Sequence, residues 1–579
     1  MISLAAASAG VASPRAQFAA LLDDYWRAWL ARNPTEATAL GERAFDDRLA
    51  DLSVAAIDRA STEAQGFLAR TNAIGVAALS AEERTSARIL RRLLEEEVAW
   101  GRHPARYRLF THREGFHTAF ATWPERAPFF TARDFESYVA RLEAFPAQVD
   151  QAIATTRASV KAGWALPCAT LAGLPQSVRQ VAEPPERSRF LKPLARRPAA
   201  VSERRWDDLR RRATQAVERG VNPAYLRFAH FLEREYLPAC RKEDGVGALP
   251  GGRAFYAFRV AAETTTDLTP QDIHRLGLAE VARIRDEMEQ VARRAGFPDR
   301  AAYVAHLRAD PRYYARTPEE LMRHAAYWAK FADGWMPRLF GRLPRLPYGL
   351  AQIPAETAPG TTTAYYQPGA PAAGRAGVYF VNTSKLNERP LFELPALTLH
   401  EAVPGHHHQI ALQQELDLPP FRRHAAFFTA FVEGWGLYAE HLGLEMGAYA
   451  EPAADMGRLS YEMWRACRLV VDTGLHALGW SRQQAIDFML ENTALSRANV
   501  EAEVNRYMAW PGQALAYKVG ELKIRALRAE AERALGEAFD LRAFHDALLG
   551  QGALPLDLME EEMRAWIAAR QQALAAMPR

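Results

Sequence analysis

The chain has 579 residues, 49% hydrophobic and 24% charged, enough to build an extensive core over one large or two coupled domains. Its 72 Lys and Arg against 69 Asp and Glu leave a net charge of +3, effectively balanced, which gives no reason to expect nucleic acid or an anionic membrane as a partner. There is no run of ~20 apolar residues, so no membrane-spanning helix is expected.

The first thirteen residues are small and apolar, and Val11-Ala12-Ser13 resembles a signal cleavage site. They lack a basic lead and are short for a signal core, so export to the periplasm and a cytoplasmic location both stay open. Apolar positions at three-to-four spacing then predict helices over 15–32, 54–72, 80–100, 132–162 and 201–219. A Gly- and Pro-rich, charged stretch at 237–253 is the expected boundary between an N-terminal helical lobe (1–240) and a C-terminal helical lobe (253–579). Helices resume over 270–295, where Thr269-Pro270-Gln271-Asp272 is an N-cap signal, and over 317–340.

Two β-prone runs, 361–366 and 377–383, interrupt the helical pattern and predict a hairpin. An exposed hairpin edge can hold an extended peptide by backbone hydrogen bonds, with Tyr379 and Asn382 as expected substrate contacts. The plainer alternative is a hairpin that only covers the core. The fold class expected is mainly α, with this small β element near the functional site. The three cysteines, Cys168, Cys240 and Cys467, lie far apart and show no zinc-ribbon or thioredoxin spacing.

The segment His400-Glu401-Ala402-Val403-Pro404-Gly405-His406-His407-His408 carries the chemistry. Neutral imidazoles are good zinc ligands, and an adjacent carboxylate can take a proton from water. The common spacing H-E-x-x-H puts both imidazoles on one helix face, whereas His400 and His406 are six apart and would diverge on an unbroken helix. Pro404-Gly405 offers a break that brings His406 round, with His407 as the rival for second ligand. Glu433, thirty-three residues after His400 in an otherwise apolar helix, is expensive to bury alone and is the expected third ligand. Pairing with an arginine is its bland alternative. Glu440 reads as a partner behind a ligand rather than as one.

Downstream, Arg465, Arg468, Asp472 and His476 form one polar helical stripe, a pattern that is more often a buried ion-pair ladder than catalytic equipment. Of these, His476 is the member expected to contact substrate or an oxyanion.

The segments 397–407, 433–440, 471–476 and 511–520, with 33–38 and 46–53 near the N-terminus, are similar to bacterial proteins grouped as domain of unknown function 885, over nearly the whole chain. The resemblance implies a metallopeptidase-like protein with a deep cleft between two mainly helical lobes. His408 departs from the apolar residue expected at its position and is read as outward-facing. In peptidases of that layout a tyrosine donates to the oxyanion and a basic residue holds a substrate carboxylate. Tyr507 and Tyr517 compete for the first role, Arg506 and Lys518 for the second.

The mechanism expected is therefore hydrolysis of oligopeptides with Zn2+ held by His400, His406 and Glu433, and with Glu401 as general base. The alternatives are a zinc-dependent amidase acting on a non-peptide substrate and a non-catalytic, metal-containing peptide-binding protein closed by His407. A di-iron oxidase ranks last, because Glu-x-x-His occurs once, at Glu114–His117. Oligomeric state and cleavage preference stay open.

Overall fold

Helix starts are set where a side chain takes up the first free backbone N–H groups. Ser80 with Glu83, Thr131 with Asp134 and Thr269 with Asp272 each form a reciprocal capping box. The computed structural model describes residues 13–355, 358 and 361–576, so most of the stretch considered as an export signal lies outside the described residues. The predicted helices appear as α1 (Pro14–Arg32), α2 (Val54–Ala73), α3 (Ala81–Trp100) and α4 (Ala132–Lys161). The helix expected over 201–219 is shorter: α5 (Glu203–Ala216) passes through a π-helical turn, Val217–Val221, into α6 (Asn222–Phe231). Pro223 at the start of α6 has no N–H to continue the regular ladder. Then follow α7 (Gly252–Thr264), α8 (Pro270–Arg294) and α9 (Pro318–Leu339). The protein is mainly α, and among the described residues no helix is long and apolar enough to cross a membrane.

The two β-prone runs form an antiparallel pair, β2 (Ala364–Gln367) and β3 (Gly377–Val381), with Tyr366 opposite Tyr379. A third strand, β1 (Tyr348–Gln352), pairs in parallel with β3 and was not expected, since Tyr-Gly-Leu-Ala-Gln has weak strand character. The order β1-β3-β2 makes β3 central, leaving β2 and β1 at the edges. After the sheet come α10 (Leu394–Glu401), α11 (His406–Glu415), α12 (Thr429–Leu442), α13 (Pro452–Ala477), α14 (Arg497–Ala509), α15 (Ala516–Leu535) and α16 (Leu541–Leu549). Helix α13 is buried along nearly its whole length and packs along α8, while α12 packs along α15.

Two hydrophobic cores result. The larger joins α1–α3 to the chain from Val246 onward, and the smaller is built from Phe110 to Tyr236 with Ala509. A disulfide between Cys168 and Cys240 ties the middle of the smaller core's segment to the chain just after its end, beside paired backbone bonds between Leu166, Cys168 and Arg241. Cys467 is free and buried.

Candidate metal centre

Helix α10 is apolar and buried from Leu394 to Leu399, so its C-terminal His400 is delivered inside the protein. The helix stops at Glu401 and a new one starts at His406, with Ala402–Gly405 as the turn between them. Gly405 is required there: a Cβ would lie 1.9 Å from the carbonyl oxygen of His400. The turn is held by the indole of Trp435, which donates to the Pro404 carbonyl at 2.8 Å, and by the His407 N–H, which donates to Ala402 O at 3.0 Å. The six-residue gap is thus spanned by two helices in sequence rather than by a bulge in one.

Helix α12 closes the site from the other side. Gly436 lets the His400 ring lie against it, since a Cβ would come within 2.7 Å of the imidazole. One turn earlier, Glu433 turns its carboxylate to both rings: its Oε2 is 3.4 Å from Nε2 of His400 and 3.4 Å from Nε2 of His406. Ligand atoms of the three residues all lie within 4.8 Å of one another. Nδ1 of His400 donates to Glu440 Oε1 at 2.8 Å, which orients the ring and turns Nε2 toward Glu433. Arg465 holds Glu440 from behind, at 3.1 Å.

These residues fit a metal ion. The buried Glu433 Oε2 has no hydrogen-bond partner, and it faces two imidazole nitrogens rather than a guanidinium. Burial by itself would lower the pKa of His400, but Glu433 and Glu440 on either side outweigh it and push it up to about 9. Burial would likewise raise the Glu433 carboxyl, yet His400 and His406 hold it well below the usual carboxylate range. The same negative field that retains a proton would retain a divalent cation, with which protons compete. Two imidazoles and one carboxylate form a donor set with room for a further ligand.

His407 does not join the group. Its Nδ1 accepts from the Tyr366 hydroxyl at 2.9 Å, its ring packs on Tyr348, and burial lowers its pKa to about 4. His408, expected on the surface, is fully buried against Phe340 and His545, and burial pushes its pKa down to about 3. It is an apolar-site substitute in the core, which is why the outward reading fails.

A cavity of about 270 Å³ opens onto the three converging residues, and Glu401 lines it beside them. The edge strand β2, through Tyr365 and Tyr366, forms another part of its wall. Tyr517 and Arg506 also line it; the Tyr517 hydroxyl accepts from Arg506 Nη2 at 3.2 Å.

Five expected contacts are placed elsewhere. His476 is buried with both nitrogens committed to backbone: Nδ1 accepts from Val246 N–H at 3.1 Å and Nε2 donates to Tyr507 O at 3.0 Å. Tyr507 lies behind the cavity wall, its hydroxyl taking bonds from Trp464 Nε1 and Arg468 Nε, both at 3.0 Å. Lys518 is fully buried among Glu462, Glu521 and Glu280, at 2.8, 2.9 and 3.1 Å. Tyr379 is buried on the central strand with its hydroxyl 3.3 Å from Thr398 Oγ1. Asn382 spends its amide on the carbonyls of Ala358, Thr361 and Thr362 and its oxygen on Ser384. A central strand has no free edge to offer, so Tyr379 on β3 and Asn382 just after it become core supports.

The polar stripe of α13 also divides. Arg465 and Arg468 reach the cavity, while Asp472 accepts from the Tyr256 hydroxyl at 2.6 Å and from Gly512 N–H, and burial raises its pKa to about 7. Arg113, which also lines the cavity, was missed because it sits on an irregular segment with no motif around it.

No curated protein matches the sequence. Among solved structures, the crystal structure of a candidate lipoprotein from Colwellia psychrerythraea is similar, with TM-score 0.89 and 28% identity over 96% of this chain and 100% of that one. A candidate lipoprotein of unknown function from Shewanella oneidensis shares the fold at TM-score 0.70 and 19% identity, again over 96% and 100%. The family described as bacterial proteins of unknown function, DUF885, matches residues 34–563, and the chain belongs to it.

Proposed function

We propose that the protein is a zinc-dependent hydrolase that cleaves peptide bonds in oligopeptides, with Glu401 as general base. The observation that carries this reading is the convergence of His400, His406 and Glu433 beside Glu401 on the wall of one cavity. A bound Zn2+ supplies Lewis acidity, polarising a carbonyl and making water a stronger acid. Glu401 takes the proton of the attacking water and passes it to the leaving amine. The Tyr517 hydroxyl, whose oxygen already accepts from Arg506, has its own proton to give to the developing oxyanion. The β2 edge beside the site is the surface on which an extended peptide would lie, in a cleft between two helical lobes.

The non-catalytic alternative needs a fourth protein ligand to close the site, and the obvious one, His407, is engaged with Tyr366. The deciding experiment is metal analysis of the purified protein with hydrolysis of a mixed oligopeptide library, with and without chelator. One zinc per chain and chelator-sensitive cleavage are expected. Zinc without cleavage of any peptide, or cleavage that a chelator leaves intact, would overturn the reading.

A further inference from the structure

On the wall of the same cavity three guanidinium groups share one carboxylate. Glu503, fully buried on α14, lies 3.0 Å from Arg468 Nη2, 3.5 Å from Arg113 Nη1 and 3.6 Å from Arg506 Nη1. Its other neighbour, Tyr507, is neutral and brings no further negative charge. Glu503 therefore balances only one of the three guanidinium charges, in a place where charge is expensive to bury unpaired. Arg468 makes the surplus concrete: the residue is 2% exposed and lines the cavity, yet its Nη1 has no hydrogen-bond partner. The rest of Arg468 is immobilised by its Nε bond to Tyr507 and by the Trp464 and Tyr517 rings, 4.5 and 4.4 Å from its guanidinium carbon. Glu114, which also lines the cavity, offsets part of the charge of Arg113, but it is exposed and solvent-screened.

Helix α13 links this cluster to the metal centre. Arg465 bonds Glu440, which bonds His400, and Arg468 lies one helical turn beyond Arg465.

We propose that Arg113, Arg468 and Arg506 form a subsite for a substrate carboxylate on the wall of the cavity that holds the metal centre. The carboxylate is either the C-terminus of the peptide or an acidic side chain. The proposal rests on the hydrolase reading for its purpose but not for its test, because binding can be measured without turnover.

The test is calorimetric titration of chelator-treated protein with N-acetyl dipeptides in matched pairs, a free against an amidated C-terminus and Glu against Gln. The carboxylate-bearing member of one pair should bind roughly 10- to 100-fold more tightly. Arg113→Gln and Arg506→Gln should each shrink that ratio without lowering the melting temperature by more than a few degrees. Loss of binding on C-terminal amidation identifies the terminal carboxylate, and loss on Glu-to-Gln replacement identifies the side chain. Equal affinity within both pairs, no binding by any member, or a ratio unchanged in both variants would overturn the subsite. Selective binding without cleavage by the zinc-loaded protein would instead leave the subsite standing and remove the hydrolase reading.

Discussion

Two buried ionic clusters lie close together in this protein and differ in one respect. Around Lys518 the charges are closed: an ammonium sits among Glu280, Glu462 and Glu521, and Arg283 and Arg458 complete the pairing of Glu462. Around His400 they are open: two imidazoles and two carboxylates converge, and Glu433 Oε2 is left without a hydrogen bond. A buried carboxylate ringed by lysine and arginine is held as scaffolding, whereas one that faces imidazole nitrogens, as Glu433 does, is arranged to receive something. Neighbouring residues on α15 fall on the two sides of this distinction, with Tyr517 facing the cavity and Lys518 facing the closed cluster.

The comparison breaks first at the metal. His406→Ala is expected to reduce zinc to a trace per chain by mass spectrometry while His407→Ala keeps it; the reverse result would reassign the ligands. Glu401→Gln should retain the metal and lower turnover on a cleavable oligopeptide by about 10²- to 10⁴-fold. On the closed side, Lys518→Met should cost about 3–5 kcal/mol in denaturant unfolding, because it strands buried carboxylates, and should leave zinc per folded chain unchanged. Glu440→Gln sharpens the contrast, since it loosens the orientation of His400 without removing a ligand; zinc affinity is expected to fall about 10- to 100-fold.

The smallest effect concerns protons. Burial holds both His476 and His545 neutral, with pKa values pushed down to about 3. An unfolded chain takes up protons at these positions from about pH 6.5 downward, where the fold does not. Their contribution to stability is therefore intact above about pH 6.5 and lost on acidification, on the order of 1 kcal/mol between about pH 7 and 6. A denaturation midpoint that rises on acidification over that interval would contradict their neutral burial.

Much of the architecture was legible in the chain because local rules act on adjacent residues. The Thr269 and Asp272 capping pair predicts the start of α8, and the periodic helices from α1 to α4 fall within one or two residues of their expected ends. The tyrosine-rich runs predict β2 and β3, but β1 adds a strand with little intrinsic preference, formed because β3 offered it an edge. At the site, the histidine–glutamate segment and the lone Glu433 were readable, since a glutamate in an apolar helix must find a partner. The roles of Tyr507, Lys518, His476, Tyr379 and Asn382 were not. Each depends on which way one side chain faces in an almost entirely buried bundle, where burial no longer alternates along the sequence.

By itself the sequence determined the residue types able to bind a metal, their order and the break at Pro404-Gly405, because these depend on side-chain chemistry and local backbone geometry. Only the tertiary structure decided that His406 rather than His407 meets Glu433, that Cys168 pairs with Cys240, and that Arg113 from the smaller core's segment joins Arg468 and Arg506. Those outcomes are distances between residues far apart in the chain, set by how helices pack, and no local rule carries them.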